Sequence, residues 1–283
     1  MRAWTLLAPS LALLGLFTYW PLVQVLWRSL VVSRYGQAPR ISIENYARLF
    51  ADPRFATALA NTALYAAGTV LPSVVLALLF ALALQRRRWW TALCRTLLVL
   101  PTMVPLVAVA ALFTFVFLPG QGLLDHYLMQ IGFGATQWLG DPDLALPSII
   151  AITIWKNTGY YMLFFLAGLA GVPQEAIEAA LLDGAGAWAR LRYVILPLLG
   201  PTLAFVGAIA AINVFIQVDH VLVMTGGGPA DSTNLLLSYI YQQAQQNLDV
   251  GAASAATVVS IGALSLIALG GLRALEPGVH YES

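Results

Sequence analysis

The chain has 283 residues, of which 60% are hydrophobic and only 10% charged, with a formal net charge of +1 at pH 7. A soluble globular domain carries about 25% charged residues, so this composition and a mean hydropathy of +0.79 place the chain in a bilayer and argue against a nucleic-acid partner; the net charge itself says nothing about partners. The single cysteine, Cys94, excludes an internal disulfide framework and a cysteine-rich metal site.

A helix crosses the bilayer core with about 20 apolar residues, and six stretches meet or approach that length: residues 3–27, 57–84, 96–118, 146–171, 194–218 and 250–272. An all-α polytopic membrane protein in a single domain is the expected fold class. The first stretch is longer than a signal-peptide core of roughly 7 to 15 residues and no small-x-small site ends it, so it is expected to remain in the mature protein. After it, residues 41–50 carry Ile43, Tyr46, Ala47 and Phe50 at helical spacing, which predicts a short interfacial helix. Turn signals punctuate the longer loops at Leu118-Pro119-Gly120, Asp141-Pro142-Asp143 and Gly226-Gly227-Gly228-Pro229.

Basic residues near helix ends in short loops set orientation. With the N-terminus inside, the inner side collects Arg2, Arg86, Arg87, Arg88, Arg95, Arg190, Arg192 and Arg273. The outer side collects Arg28, Arg34, Arg40, Arg48 and Arg54, all around one segment, and the other two outer loops have none. Both termini are therefore expected in the cytoplasm, a parity that six spans satisfy.

The long inner loop, about 173–193, interrupts the apolar pattern. Pro173 stands where a helix begins, and Gln174, Glu175 and Glu178 follow, the two glutamates placing negative charge where the helix dipole favours it. Ile177, Ala180 and Leu181 form one apolar face, Gly184 and Gly186 stop the helix, and Arg190 and Arg192 precede Leu196-Pro197 at the fifth span. The loop reads either as an amphipathic segment lying on the membrane or as a docking element. Lipid-surface helices are typically rich in Lys or Arg on their polar face, whereas the first arm is acidic. Small residues such as Ala179, Ala180, Gly184 and Ala185 suit close approach to another protein.

At Glu178, Ala179, Ala180, Asp183, Gly184, Ala185, Leu196 and Pro197 the chain resembles the permease subunits of binding-protein-dependent ABC importers. It departs from their pattern at Leu191, where an aromatic is common, and at Ala187, where Pro is frequent. Further stretches are similar to the sugar-type branch, which takes oligosaccharides, polyols and glycerol-3-phosphate: Glu44-Asn45-Tyr46, Asp52-Pro53-Arg54-Phe55, Asn61-Thr62, Trp155-Lys156 and Thr225-Gly226-Gly227-Gly228-Pro229. The stretch 275–281 is reminiscent of the glycerol-3-phosphate type. The resemblance implies an inner-membrane permease without catalytic residues of its own. It implies as partners a second homologous permease subunit, a dimer of ATPase subunits and an extracytoplasmic solute-binding protein. It also implies a coupling helix in the 173–193 loop that fits a cleft of the ATPase, with Glu178 as a contact.

Polar residues inside spans are costly and usually face a cavity or a partner. Lys156, the only lysine, lies inside the fourth stretch beside Trp155, Asn157 and Tyr160, and either snorkels to an interface or lines a solute path. In the fifth, Asn213 and Gln217 recur at i and i+4, with Asp219 and His220 beyond. They read either as interhelical hydrogen bonds or, by resemblance to maltose-type permeases, as solute contacts together with Asn157 and Tyr160. His126, His220 and His280 have no metal-ligand spacing. No phosphate-binding Gly-x-x-x-x-Gly-Lys-Ser/Thr stretch occurs, so ATP and Mg are expected on the partner ATPase and no cofactor on this chain. Two rival classes are a membrane-embedded enzyme, which needs a cluster of His, Asp or Ser in facing spans, and a secondary transporter, often built from internal repeats.

Overall fold

The computed structural model describes residues 2–32, 38–86 and 88–275, and within them the side chains of 7–266. Arg34, Arg87 and the stretch 276–281 lie outside the described residues. The first apolar stretch forms α1 (Arg2–Leu14), a π-helical turn (Gly15–Tyr19) and α2 (Trp20–Leu30). Its apolar core window is 0% buried, so this rod offers its side chains outward, and α2 touches the body along the last helix. A two-residue antiparallel pair, β1 (Val31–Val32) with β2 (Arg40–Ile41), leads into α3 (Glu44–Ala51).

The expected short helix is α3. Asn45 and Leu49 are buried, while Ile43, Ala47 and Phe50 are exposed. The Asn45 amide causes this, because it donates to the carbonyls of Ser29 at 2.9 Å and Val31 at 3.0 Å and so satisfies the end of α2.

The centre of the fold is α4 (Pro53–Leu84) against α8 (Pro142–Ala170). Asp52 caps α4 by accepting from the Arg54 amide at 2.9 Å, and Pro53 opens the helix. The buried side of α4 is a row of small and hydroxyl-bearing residues, including Ala58, Thr62, Thr69, Ser73, Ala77 and Ala81, with Tyr65 among them. Such rows let helices approach closely where lipid offers no hydrophobic drive to associate. On this pair packs α12 (Gly200–Ile216), and α15 (Val250–Leu275) packs in turn on α12, α2 and α3.

The stretch 96–118 is not one continuous helix. It comprises α5 (Trp89–Met103) and α6 (Leu106–Val116), which meet at 99°. Pro105 lies at the break, and the residue before a proline is driven out of the helical region. Val104 accordingly has φ −83°, ψ 132°. The fifth crossing is also displaced from 194–218. A short helix α10 (Ala187–Arg190), a π-helical turn (Leu191–Ile195) and α11 (Leu196–Leu198) precede α12, and the long apolar unit is Gly200–Met224. Pro201, in the first turn of α12, fixes that start.

Among the described residues, four helical units are long and apolar enough to cross a membrane, Leu7–Leu30, Pro53–Leu84, Pro142–Ala170 and Gly200–Met224, or five if the bent pair counts as one. The last helix, α15, runs 26 residues, and its described side chains, Val250–Leu266, are apolar.

The remaining elements cap the two ends. At one end α7 (Leu123–Gln130) and α14 (Leu236–Tyr241) are joined by loops, and at the other stands α9 (Gln174–Leu182), while α13 (Asp219–Met224) follows α12 within its apolar unit and packs on α6. A forked ion pair ties the first of these ends across the chain. The Arg54 Nε and Nη2 atoms lie 3.2 and 3.1 Å from the two Asp231 carboxylate oxygens. Beside it, the Asn61 amide donates to the carbonyls of Asp231 and Asn234.

Candidate functional site: a polar cleft and an exposed hairpin

Two features at different depths carry the chemistry. The first is a narrow cleft between α4, α8 and α12, lined by Thr69, Ser73, Thr153, Asn157, Tyr161 and Asn213 with a few apolar neighbours. It forms a polar layer between two apolar clusters, one around Tyr65, Ile149 and Val214 and one around Ala77, Phe165 and Ala210. Asn157 Nδ2 donates to Gln217 Oε1 at 3.0 Å, and Asn213 Nδ2 donates to the Tyr161 hydroxyl at 3.0 Å. Every polar side chain of the cleft is neutral and can donate or accept a hydrogen bond, a set suited to hydroxyl groups.

One turn away from Asn157, the Thr153 hydroxyl, the Tyr65 hydroxyl and His220 Nε2 form a closed triangle with edges of 2.9, 3.1 and 3.1 Å. His220 is fully buried, and its Nδ1 atom has no partner. The scattered histidine spacing held no sign of this contact. A different signal was present: Tyr65, Thr69 and Ser73 recur at i+4 along α4 and put their polar groups on one face.

The residues expected along a solute path are distributed as follows. Asn157 and Asn213 line the cleft, and Gln217 closes its rim from the break after α12. Tyr160 points away from them, half-exposed and edge-on to the Phe164 ring at 5.0 Å, while its neighbour Tyr161 is the tyrosine in the cleft. Asp219 is exposed at the start of α13. Lys156 is only 6% exposed, midway along α8, and its Nζ atom donates to the carbonyls of Pro101 at 3.0 Å and Val104 at 2.7 Å. A snorkelling side chain would reach solvent at a helix end. This one ends inside the protein.

The second feature is the hairpin of α9 and α10. Pro173 is the residue before the helix rather than its first member. Asp183 closes α9, and Gly184 takes φ +77°, where an L side chain is strained. The Gly184 amide donates to the Leu181 carbonyl at 3.0 Å and the Ala185 amide to the Ala180 carbonyl at 2.9 Å, the paired bonds of a Schellman stop. Ala180 is buried against the second arm, whereas Glu178, Ala179, Asp183 and Gly184 are exposed. So are Leu182 at 90%, Trp188 at 73% and Tyr193 at 75%. The hairpin thus fixes its own backbone and leaves large apolar and acidic side chains uncovered.

Comparison with known proteins follows this geometry. Residues 73–281 match the family model described as binding-protein-dependent transport system inner membrane component. The sn-glycerol-3-phosphate transport system permease protein UgpA of Agrobacterium fabrum is 30% identical over 281 residues, 98% of this chain and 95% of that protein. A crystal structure of a bacterial ABC transporter involved in import of the acidic polysaccharide alginate superposes with a TM-score of 0.85 at 22% identity, covering 98% of this chain and 96% of that one. The bacterial alginate transporter in complex with its alginate pentasaccharide-bound periplasmic protein gives 0.84 at 22% identity, covering 95% and 92%. The bent fold, the exposed hairpin and these likenesses agree: the chain belongs to the binding-protein-dependent inner membrane components, the permease subunits of ABC importers.

Proposed function

We propose that this chain is one of two homologous permease subunits of an ATP-driven importer for sugars, polyols or glycerol-3-phosphate-like solutes. It crosses the inner membrane six times with both termini in the cytoplasm, so that α9 and its hairpin face the ATPase dimer. Glu178, Ala179, Ala180, Asp183, Gly184 and Ala185 form the coupling element. ATP and Mg bind to the partner ATPase, and an extracytoplasmic binding protein delivers the solute, as the complexed alginate transporter's periplasmic protein suggests by likeness.

The observation that carries this reading is the exposed, self-stopped hairpin, whose Leu182 side chain is 90% exposed while the Schellman turn behind it is fixed. Closure of the ATPase dimer moves this element as a rigid lever. The solute passes elsewhere, along Asn157, Asn213, Gln217 and the Tyr161 hydroxyl. The fork of neutral donors and acceptors there supports a hydroxyl-rich solute.

The test is binding-protein-stimulated ATPase activity of the reconstituted complex with Glu178→Ala or Leu182→Ser. Loss of stimulation with the permease still folded supports coupling through the hairpin. Unchanged stimulation and unchanged assembly would overturn it. Transport that proceeds without ATP would instead favour a secondary transporter. The described residues hold no cluster of three or more His, Cys, Asp or Glu that could bind a metal, and nothing specific in the fold favours the embedded-enzyme alternative.

A further inference from the structure

We propose that Lys156 is a positioning residue that holds the 99° break between α5 and α6, and through it the rim of the cleft, and that it is not a counter-charge for the solute. This rests on the transport reading above for its consequence but not for its geometry.

In an unbroken helix the Pro101 carbonyl would accept from the amide four residues on, at position 105. That residue is proline and has no N–H. The Val104 carbonyl is freed as well, because the chain leaves the helical region there. In a membrane interior no water is at hand to satisfy a freed carbonyl, so leaving it unpaired is costly. The Pro101 carbonyl keeps a long bond of 3.4 Å from the Val104 amide; the Lys156 ammonium adds a donor to it in place of the lost one and another to the Val104 carbonyl, and a cation at a helix C-terminus also meets the negative end of its dipole. Pro105 therefore makes the break and Lys156 satisfies it.

The next residue of α8 does the corresponding work on the opposite side. Asn157 Nδ2 donates to Gln217, which sits in the extended step between α12 and α13 with φ −85°, ψ 86°. The two segments beyond these breaks, α6 and α13, pack on one another. Two consecutive α8 side chains thus hold two interrupted helices whose distal halves form one unit. Freeing Lys156 from the Pro101 and Val104 carbonyls releases α6, and α13 with it, from the α8 frame that lines the cleft.

The experiment measures the break directly. Nitroxide labels at Leu97 on α5 and Leu112 on α6, both exposed, are introduced into the Cys94→Ala permease within its reconstituted complex, and their separation is read by pulsed electron spin resonance. The unsubstituted Lys156 background gives one narrow distance. Lys156→Met broadens and shifts it, and Lys156→Arg, which can donate to both carbonyls, restores it. Should Lys156→Met fail to assemble, Lys156→Gln, which keeps a donor but no charge, serves in its place and gives an intermediate width. An unshifted distance in the Met or Gln variant overturns the proposal, as does an Arg variant that behaves like Met. Uptake then separates the two roles: transport per ATP falls for neutral and anionic solutes alike, whereas a loss confined to anionic solutes would return Lys156 to the solute path. The distance reading does not depend on transport, so failure of the importer assignment leaves it standing.

Discussion

Gly159 lies so close to the Leu98 carbonyl that a Cβ on it would fall 1.8 Å from the oxygen and 2.4 Å from the carbon. Both are backbone atoms, so no side-chain rotation relieves the contact, and α5 is seated on α8 at this point. Gly159→Ala therefore forces α5 away, at a cost at or beyond the roughly 1–3 kcal/mol of ordinary overpacking. Gly207→Ala, where a Cβ meets nothing within 4 Å, is the control and leaves stability level or slightly raised. Cys94 offers the measurement. It is half-buried against the cluster around Ala81 and Phe165, so a thiol-reactive fluorophore reports its unmasking on heating, at a lower temperature for Gly159→Ala alone.

Gly184 and Gly186 stand two apart in the hairpin but answer to different constraints. Gly184 has φ +77°, where a non-glycine residue costs about 1–2 kcal/mol. Gly186 has φ −67°, ψ 170°, a conformation any residue adopts. Gly184→Val is expected to loosen the Schellman turn and cut binding-protein-stimulated ATP hydrolysis several-fold, while Gly186→Ala leaves it unchanged. Equal rates for both variants would detach the turn geometry from coupling.

How far the sequence displayed these features depended on whether the forces involved were local. The hairpin was legible because its stop signal, Asp183-Gly184-Ala185, is written in adjacent residues. The long apolar helices were legible because hydropathy sums along a segment. The bend at Val104 was not inferred from Pro101 and Pro105, since prolines within spans are often tolerated and the side chain that donates to the carbonyls at the bend, Lys156, comes from another helix. The same holds for Tyr161 and Tyr160. Adjacent in sequence, they differ by about 100° around α8, and only the packing of α12 selects Tyr161 for the cleft. The contact that seats α3 was not legible for a related reason: a polar residue, Asn45, binds it to carbonyls in α2 and β1 that hydropathy does not register.

If the cleft conducts the solute, its two asparagines are worth more than their exposed neighbour. Asn157→Leu removes the donor to Gln217 and Asn213→Leu the donor to the Tyr161 hydroxyl. Each also leaves a polar partner unpaired at low dielectric, which costs about 1–3 kcal/mol. Uptake is expected to fall about tenfold for each, the equivalent of about 1.4 kcal/mol, with ATP hydrolysis by the assembled complex retained. Tyr160→Phe, on the half-exposed side of α8, is expected to transport normally. Measured uptake rates that rank Tyr160→Phe below either asparagine variant would move the path to the other face of α8.

The loop before α8 is organised by one carboxylate. Asp125 is buried and accepts from the Gly120 amide at 2.7 Å, the Thr136 amide at 3.0 Å and the Trp138 indole at 2.6 Å. These donors favour the charged form, the backbone amides first, and hold its pKa below the ordinary carboxylate value. A depressed folded-state pKa means that the loop's stabilisation is fully present above the unfolded value of about 4 and is lost as pH falls through the lower folded one. Amide exchange at Gly120 and Thr136 should therefore be slow and level at neutral pH, after correction for intrinsic rates, and should lose protection only below about pH 4. Asp125→Asn should abolish the protection already at pH 7, because the amide carries no charge and has one acceptor oxygen where three donors converge. Protection in the Asn variant equal to that of the parent would show that the chain turns at Gly120 and Gly122, not the carboxylate, hold the loop.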